Sequence, residues 1–285
     1  MNIQSSKEQE KPILYFDSGI GGIPYAVKAM QALPHERFVY LADRAGFPYG
    51  TKERGEVTEF VFKAIDTAST TLKPKAVVVA CNTATEIAIH ALRVRHPDLP
   101  FIGTVPAIKP AAEQTQNGRI AVIATNRAIS EPYLDKLVEQ HAGNVKLLKI
   151  GASPLVSWIE RSLLTSDPQE RIEVLESYIK EVRDFGADML VLGCTHFLHL
   201  YKDFVTVAKP DITIIDSRNG ITKQLCTVLE TMKLSRTAQN NDSTSGVHLP
   251  PKLQCTFWVT GQEPIEDRYK YFAEQYGFAF RGILS

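Results

Sequence analysis

The first group of residues able to carry chemistry is centred on a cysteine. Cys81 follows the apolar run 76–80 and precedes two small polar residues, Asn82 and Thr83. This pattern predicts a cysteine that ends a buried strand and begins a helix, where free backbone N–H groups and the helix dipole stabilise a thiolate. Asn82 and Thr83 can hydrogen bond to a polar ligand. A lone free cysteine is more often a small buried apolar residue, so this segment by itself establishes no function.

A second cysteine repeats the arrangement about one small domain further along the chain. Cys194 follows the apolar run 189–192 and Gly193, and it precedes Thr195 and His196. His196 can act as a general acid or base, or it can stabilise the thiolate electrostatically. Two cysteines in matching settings favour a catalytic interpretation over two independent buried thiols.

A glycine-rich loop supplies an acidic residue. Residues 17–22 read Asp-Ser-Gly-Ile-Gly-Gly and follow the apolar run 13–16. The glycines permit a tight turn, so Asp17 can hold an ammonium group or assist a thiol, and Ser18 can face a ligand. Pro24 stands where a dinucleotide-binding GxGxxG motif requires its last glycine, so the loop is not predicted to bind a dinucleotide.

These residues need elements that bring them to one edge of a sheet. Continuous apolar runs are typical of strands covered on both faces, and they predict strands at 13–16, 38–41, 76–80, 120–124, 189–192, 212–215 and 253–259. Amphipathic stretches predict helices at 56–72, 86–96, 130–141, 169–185 and 266–276. The alternation of strand and helix predicts parallel α/β sheets. The polar stretch 236–252 predicts a loop.

The repeated cysteine segment predicts two similar units. We expect two pseudo-symmetric parallel-sheet α/β domains, one formed by residues 11–103 plus 217–285 and the other by residues 104–216. Ligands of open α/β sheets bind at the carboxyl ends of the strands, where both cysteines are expected. Two such ends facing each other would make one active site at the domain interface.

Composition argues against several classes of protein. The chain has 32 basic and 32 acidic residues, so no net charge attracts it to nucleic acid or to an anionic membrane. No apolar run approaches the roughly 20 residues that span a bilayer. The sequence contains no Walker loop, no GxSxG motif and no cluster with metal-ligand spacing, and it shows no specific sign of a pyridoxal or nicotinamide site. We therefore expect no cofactor, no metal, no nucleic acid and no membrane partner.

The cysteine content and the polar start of the chain favour a reducing compartment. The four cysteines lack the spacing of a zinc knuckle or a redox CxxC motif, and residues 1–11 lack the apolar core of a signal peptide. We expect free thiols and a cytoplasmic location. Cys226 and Cys255 lie in apolar segments without small polar neighbours, so both are predicted to be structural.

Two thiols without a cofactor suit the transfer of a proton to and from carbon. A thiolate removes the proton from one face of a stereocentre, and a thiol on the opposite face returns one, which inverts the configuration. Such a reaction requires two acid–base groups held in near-attack geometry.

The combined motifs resemble glutamate racemases of the cofactor-independent aspartate/glutamate racemase superfamily. The matching segments follow the family order and cover about residues 13–217, and together they are far more specific than any one of them. They are Asp-Ser-Gly-Ile-Gly-Gly at 17–22, Pro-Tyr-Gly at 48–50, Cys-Asn-Thr-Ala-Thr at 81–85, Val-Pro-Ala-Ile-Lys-Pro at 105–110 and Gly-Cys-Thr-His at 193–196.

The resemblance implies an enzyme that interconverts L- and D-glutamate, supplies D-glutamate for peptidoglycan in the bacterial cytoplasm, and forms a homodimer. It implies that Cys81 deprotonates D-glutamate and that Cys194 deprotonates L-glutamate. Asp17 and His196 would assist the two thiols, and Glu160 would be a further acid near the second. The expected substrate ligands are Ser18, Pro48, Tyr49, Gly50, Asn82, Thr83 and Thr195.

Two positions depart from the family pattern. Leu198 replaces a proline, and the turn at 124–128 lacks a threonine that the family uses near Ala128 to bind a carboxylate. Either Arg127 or Ser130 could substitute for that threonine.

Three alternatives remain at this stage. The first is another two-cysteine racemase or isomerase of the superfamily, acting on aspartate, a hydantoin or maleate. The second is a non-catalytic amino-acid-binding regulatory protein, and the third is a thiol hydrolase that uses one cysteine with His196.

Overall fold

A computed structural model of the chain describes residues 7–236 and 255–285. The predicted loop at 236–252 therefore lies outside the described residues, apart from Arg236. The described chain divides into two compact units. Unit 1 contains residues 7–47, 53–104, 218–236 and 255–285, and unit 2 contains residues 48–52 and 105–217.

Parallel strands form the centre of each unit. In chain order they are β1 (Ile13–Asp17), β2 (Phe38–Ala42), β3 (Ala76–Val79), β4 (Phe101–Gly103), β5 (Arg119–Ala124), β6 (Lys146–Gly151), β7 (Met189–Leu192), β8 (Thr213–Ile215), β9 (Cys255–Val259) and β10 (Ala279–Ile283). Unit 1 has a six-stranded sheet of order β10-β9-β2-β1-β3-β4, and unit 2 has a four-stranded sheet of order β6-β5-β7-β8. All pairings are parallel, which confirms the predicted α/β class.

Helices connect these strands. They are α1 (Ile23–Ala32), α2 (Arg54–Thr71), α3 (Asn82–Arg95), α4 (Ile108–Gln114), α5 (Asn126–Ser130), α6 (Pro132–His141), α7 (Ser153–Ser162), α8 (Pro168–Phe185), α9 (Tyr201–Ala208), α10 (Arg218–Thr231) and α11 (Asp267–Gln275). Short 3-10 helices occupy Arg44–Gly46, Tyr49–Thr51 and Thr195–Leu200. Among the described residues, no helix has both the length and the apolar character that crossing a membrane requires.

The two sheets share a topological plan. The first strand of each unit, β1 or β5, pairs on one side with the strand that follows it and on the other side with the third strand. The fourth strand then pairs with the third. Cys81 follows β3 and Cys194 follows β7, so the two cysteines occupy corresponding positions. In unit 1, β9 and β10 extend the sheet beyond β2.

Burial explains which strands the sequence could predict. All residues of β1, β2, β3 and β7 are buried, as expected for continuous apolar runs covered on both faces. The sequence interpretation missed β4, β6 and β10. β4 has only three residues, β6 begins with an exposed lysine, and β10 contains an exposed arginine and a glycine.

Two of the predicted helices differ from the structure by more than two residues. The helix expected at 86–96 begins at Asn82, because the sulfur of Cys81 caps its first turn. The helix expected at 130–141 is split into α5 and α6 at Glu131, which has extended backbone angles. Pro132 causes the break, because proline disfavours a helical conformation in the residue before it.

Candidate active site

The loop after β1 holds Asp17 in a fixed, buried position. The Asp17 side chain is 0% exposed, and its Oδ1 accepts a hydrogen bond from the Gly19 backbone N–H at 2.9 Å. The loop also passes very close to the end of β3. A Cβ at Gly22 would lie 2.7 Å from Cβ of Ala80, so only glycine permits this approach. The loop that carries Asp17 is therefore packed against the residue that precedes Cys81.

Cys81 lies at the N-terminus of α3 within reach of this loop. Its Sγ accepts a hydrogen bond from the Ala84 backbone N–H at 3.5 Å, which makes the sulfur a helix cap. The thiol lies 3.9 Å from Oγ of Ser18, and the Ser18 hydroxyl donates to Oδ1 of Asp17 at 3.4 Å. Ser18 thus links the thiol to the carboxylate. Helix N–H groups near the sulfur favour its thiolate form.

The two residues after Cys81 are buried polar groups. Asn82 is 8% exposed, Thr83 is 3% exposed, and both lie in the first turn of α3. Oδ1 of Asn82 accepts no hydrogen bond from any of the described residues. A buried acceptor of this kind is costly unless a ligand or water satisfies it. It can accept a hydrogen bond from a bound cation such as an ammonium group.

In unit 2, Cys194 lies just after β7 and directly follows a tightly packed glycine, Gly193. A Cβ at Gly193 would lie 3.1 Å from both the Ile123 carbonyl oxygen and Cβ of Ala124, so the cysteine follows a close approach between β7 and β5. Cys194 has extended backbone angles and precedes a 3-10 helix, whereas Cys81 precedes an α-helix. Its side chain is largely buried.

A buried histidine joins Cys194 to a carboxylate. Nδ1 of His196 lies 4.0 Å from Sγ of Cys194, and Nε2 lies 2.9 Å from Oε1 of Glu160 on α7. Burial lowers the pKa of His196, but its hydrogen bonds and charge interactions with Cys194 and Glu160 outweigh that effect and raise the pKa well above its ordinary value. A protonated His196 can donate to the carboxylate through one nitrogen and to a thiolate through the other.

The Pro48-Tyr49-Gly50 segment belongs to unit 2, although the chain on either side of it belongs to unit 1. The segment packs against Thr125, since a Cβ at Gly50 would lie 3.0 Å from Cβ of Thr125. Thr125 was not among the predicted site residues. It is buried, it directly follows β5, and its Oγ1 accepts a hydrogen bond from the Ala128 N–H at 3.1 Å. Its position after a buried apolar run is the sequence signal that could have identified it.

The two residues proposed to replace the missing family threonine have partners within unit 2. Nε of Arg127 lies 3.6 Å from Oε1 of Glu131, and the Ser130 hydroxyl donates to the Asn126 carbonyl oxygen at 2.8 Å. Thr125, which directly follows β5 and lies within the turn 124–128, supplies another hydroxyl there.

The structure thus places the predicted site residues in three local groups. Asp17, Ser18, Cys81, Asn82 and Thr83 meet at the carboxyl ends of β1 and β3 in unit 1. The residues brought together in unit 2 are Glu160, Cys194, Thr195 and His196 at one place, and the 48–50 segment with Thr125 at another. Within the described ranges, no group of three or more His, Cys, Asp and Glu side chains is arranged to hold a metal ion.

Comparison with known proteins gives a consistent result. A family model described as Asp/Glu/Hydantoin racemase matches residues 22–224. The glutamate racemase of Bartonella tribocorum is 36% identical over 223 residues, which cover 77% of this chain and 81% of that protein. The glutamate racemase of Clostridium botulinum is 33% identical over 236 residues, which cover 83% of this chain and 90% of that protein.

Solved structures agree with these relatives. Escherichia coli glutamate racemase in complex with L-glutamate and the activator UDP-MurNAc-ala matches with a TM-score of 0.83 and 27% identity, over 96% of this chain and 98% of that one. Francisella tularensis glutamate racemase in complex with D-glutamate matches with a TM-score of 0.77 and 25% identity, over 97% and 98% of the two chains. The chain belongs to the Asp/Glu/Hydantoin racemase family, and it is a racemase.

Proposed function

We propose that this racemase interconverts L- and D-glutamate without a cofactor, with Cys81 and Cys194 as its two acid–base groups. One observation carries the proposal: in each unit a largely buried cysteine follows the third strand in chain order, and a neighbouring side chain links that cysteine to a buried carboxylate. Ser18 links Cys81 to Asp17, and His196 links Cys194 to Glu160. The relatives and the matching structures named above are glutamate racemases, which supports glutamate as the substrate.

In unit 1, Cys81 would remove the Cα proton of D-glutamate. The helix N-terminus favours the thiolate before the reaction, and the proton moves from Cα to Sγ to give the thiol. The Cys81 thiol donates to the Ser18 hydroxyl oxygen, and that hydroxyl donates to Asp17, which fixes its orientation. In the opposite direction the Cys81 thiol would return a proton to the same face of Cα and form D-glutamate.

In unit 2, Cys194 would remove the Cα proton of L-glutamate. A protonated His196 beside the sulfur stabilises the thiolate, and Glu160 stabilises the protonated imidazole through its 2.9 Å hydrogen bond. When the Cys194 thiol instead delivers a proton, L-glutamate forms. Each turnover therefore leaves one thiol protonated and the other deprotonated, and the reverse reaction restores the starting state.

Polar groups next to the two thiols would bind the substrate. Oδ1 of Asn82 is a buried acceptor suited to the ammonium group. The hydroxyl groups of Thr83 and Thr195, together with the 48–50 segment, would hydrogen bond to the carboxylates. The Ser18 oxygen, whose proton is donated to Asp17, would accept from the ammonium group. These contacts fix the Cα–H bond relative to the thiols, which is the main requirement of a proton transfer from carbon.

We further propose that the product D-glutamate serves peptidoglycan synthesis in the cytoplasm. We also propose that each chain folds into the two predicted domains and that two chains form a homodimer. Sedimentation equilibrium of the full chain tests the assembly state. A single species with the mass of one chain, at all concentrations and with glutamate present, would refute the dimer.

The proposed reaction is tested with L-glutamate in deuterated water, without added cofactor. Circular dichroism should show loss of optical activity, and mass spectrometry should find one deuterium in the D-glutamate formed. With two acid–base groups, deuterium enters the product before it enters the remaining L-glutamate. Early and equal labelling of both enantiomers would refute two separate groups. If glutamate is inert, the same assay with aspartate tests the nearest alternative substrate.

Variants test the assignment of the thiols. Cys81→Ser and Cys194→Ser should each reduce racemisation by about 10²-fold to 10⁴-fold, the range of a lost general acid–base group. Cys226→Ser is the matched control, since Cys226 lies on α10 outside the proposed site. Normal rates in either of the first two variants would contradict the mechanism.

A further inference from the structure

A tyrosine on the neighbouring strand holds the loop that carries Asp17. Tyr40 lies on β2 with 0% exposure. Its hydroxyl donates to the Gly19 carbonyl oxygen at 2.9 Å and accepts a hydrogen bond from the Gly22 backbone N–H at 3.0 Å. One hydroxyl group therefore bridges the two ends of the turn between Gly19 and Gly22.

The position of this hydroxyl is fixed by the aromatic core. The Tyr40 ring stacks on Phe257 of β9, with ring centres 4.9 Å apart and planes 23° apart. The ring of Phe278 contacts Tyr40 edge-on, with a centre-to-centre distance of 6.1 Å. Because packed aromatic rings resist displacement, the hydroxyl is a fixed point for the loop and not a group that follows its movements.

Gly19 connects this fixed point to the candidate active site. Its carbonyl oxygen is held by Tyr40, and its backbone N–H holds Oδ1 of Asp17 at 2.9 Å. Ser18, the preceding residue, contacts both Asp17 and the Cys81 thiol. A rotation of the loop at Gly19 would therefore move the carboxylate and the serine hydroxyl together, relative to Cys81.

We propose that Tyr40 is a positioning residue of the racemase: its hydroxyl fixes the turn at Gly19–Gly22 and thereby orients Asp17 and Ser18 toward Cys81. The proposal goes beyond the assignment of the acid–base groups and rests on glutamate racemisation only for its kinetic readout. Tyr40 touches no reacting atom, so it acts through the loop.

Tyr40→Phe tests this proposal, and Tyr15→Phe is its matched control. Tyr15 is the direct partner of Tyr40 in the pairing of β1 with β2, and it is equally buried. Its hydroxyl makes no hydrogen bond to any described residue. Both variants remove one buried hydroxyl from adjacent strands, but only the first removes the support of the loop. Tyr40→Phe should lower kcat/KM for glutamate by about tenfold to a hundredfold, the effect of a small misplacement in an active site, and Tyr15→Phe should leave it unchanged.

A second readout separates positioning from general destabilisation. Alkylation by iodoacetamide is followed for each cysteine by peptide mass spectrometry as a function of pH. Because thiolates are the reactive form, the midpoint of each profile reports how well the protein stabilises that thiolate, whereas access changes only the rate. Tyr40→Phe should shift the midpoint for Cys81 and leave the midpoint for Cys194 in place. Unchanged profiles, or equal shifts for both cysteines, would overturn the proposal.

Gly22→Ala provides an independent variant if Tyr40→Phe folds poorly. Gly22 has φ of −78°, so alanine is allowed by the backbone, but its methyl group would lie 3.0 Å from the Tyr40 hydroxyl and 2.7 Å from Cβ of Ala80. The loop must shift while the hydroxyl stays present, and the same Cys81-specific shift is expected. The alkylation readout needs no substrate. An enzyme inert toward glutamate would refute the proposed function alone, and unshifted profiles would refute the role of Tyr40 alone.

Discussion

Replacement of Glu160 by glutamine tests the effect of the Glu160 charge, which reaches Cys194 through His196. Glutamine has nearly the same shape, so the variant keeps the packing around α7 while it removes the negative charge beside His196. The two side chains are 1% and 3% exposed, and Oε1 of Glu160 lies 2.9 Å from Nε2 of His196. Water therefore screens this interaction very little.

The structure sets the size of the expected effect. A hydrogen bond to a charged group contributes about 1.5–3 kcal/mol, and each 1.36 kcal/mol corresponds to about tenfold in rate. If the protonated His196 stabilises the Cys194 thiolate during catalysis, kcat/KM of Glu160→Gln should fall by roughly tenfold to a hundredfold at neutral pH. The enantiomers have equal free energies, so the fall must be equal in both directions.

The dependence on pH has a definite sign. Burial lowers the pKa of His196, and the interactions with Cys194 and Glu160 raise it to a value well above the ordinary one. Without the Glu160 charge the pKa falls, so the protonated form is lost at lower pH. The activity lost by Glu160→Gln should therefore grow as the pH rises from 6 toward 9, measured by circular dichroism from both enantiomers.

Thermal stability should show the corresponding linkage. A histidine with a raised pKa in the folded state contributes stability that is complete below its unfolded value of 6.5 and is lost as the pH rises through the folded value. The difference in Tm between the wild type and Glu160→Gln should therefore be largest near pH 6 and shrink above it.

Glu36→Gln is the matched control for this variant. Glu36 is a carboxylate with 2% exposure in an ion pair with Lys75 in unit 1. Its replacement should lower thermal stability but should not change how kcat/KM depends on pH between 6 and 9. If Glu160→Gln keeps the wild-type kcat/KM at every pH from 6 to 9, the charge of Glu160 does not act on Cys194 through His196, and the reasoning is refuted.

Three further variants test other parts of the structure. Lys75→Met leaves the buried charge of Glu36 without its ion-pair partner and should lower the free energy of unfolding by about 3–5 kcal/mol in urea titrations, whereas a loss under 1 kcal/mol would contradict the pair's burial. Gly193→Ala places a methyl group 3.1 Å from neighbouring atoms of β5, displaces Cys194 and should reduce kcat at least tenfold; wild-type kcat would show that the strand can give way. Burial raises the pKa of the Cys255 thiol, so at pH 7 it should be alkylated only slowly in the native protein, and rapid alkylation would contradict its packing on β9.

Much of the fold was encoded locally. The strands that carry Asp17, Cys81 and Cys194 were predicted because parallel strands buried on both faces leave continuous apolar runs in the sequence. The order of strand, cysteine and small polar residues further indicated that both thiols lie at the carboxyl ends of strands. Local patterns failed where burial was partial, as in β6 and β10, and the amphipathic pattern at 86–96 covered only the later part of the helix that begins after Cys81.

The sequence by itself determined the family resemblance, the parallel α/β class and the choice of Cys81 and Cys194 as the predicted catalytic thiols, because residue type and spacing carry this information. Only the tertiary structure decided the partners: Ser18 lies between Cys81 and Asp17, Glu160 meets His196 across 36 positions of the chain, and Tyr40 supports a loop from the adjacent strand. Hydrophobic periodicity specifies which face of an element is buried. It does not specify which polar groups meet, because a hydrogen bond requires donor and acceptor to be placed to within a few tenths of an ångström. That placement arises only when the elements pack.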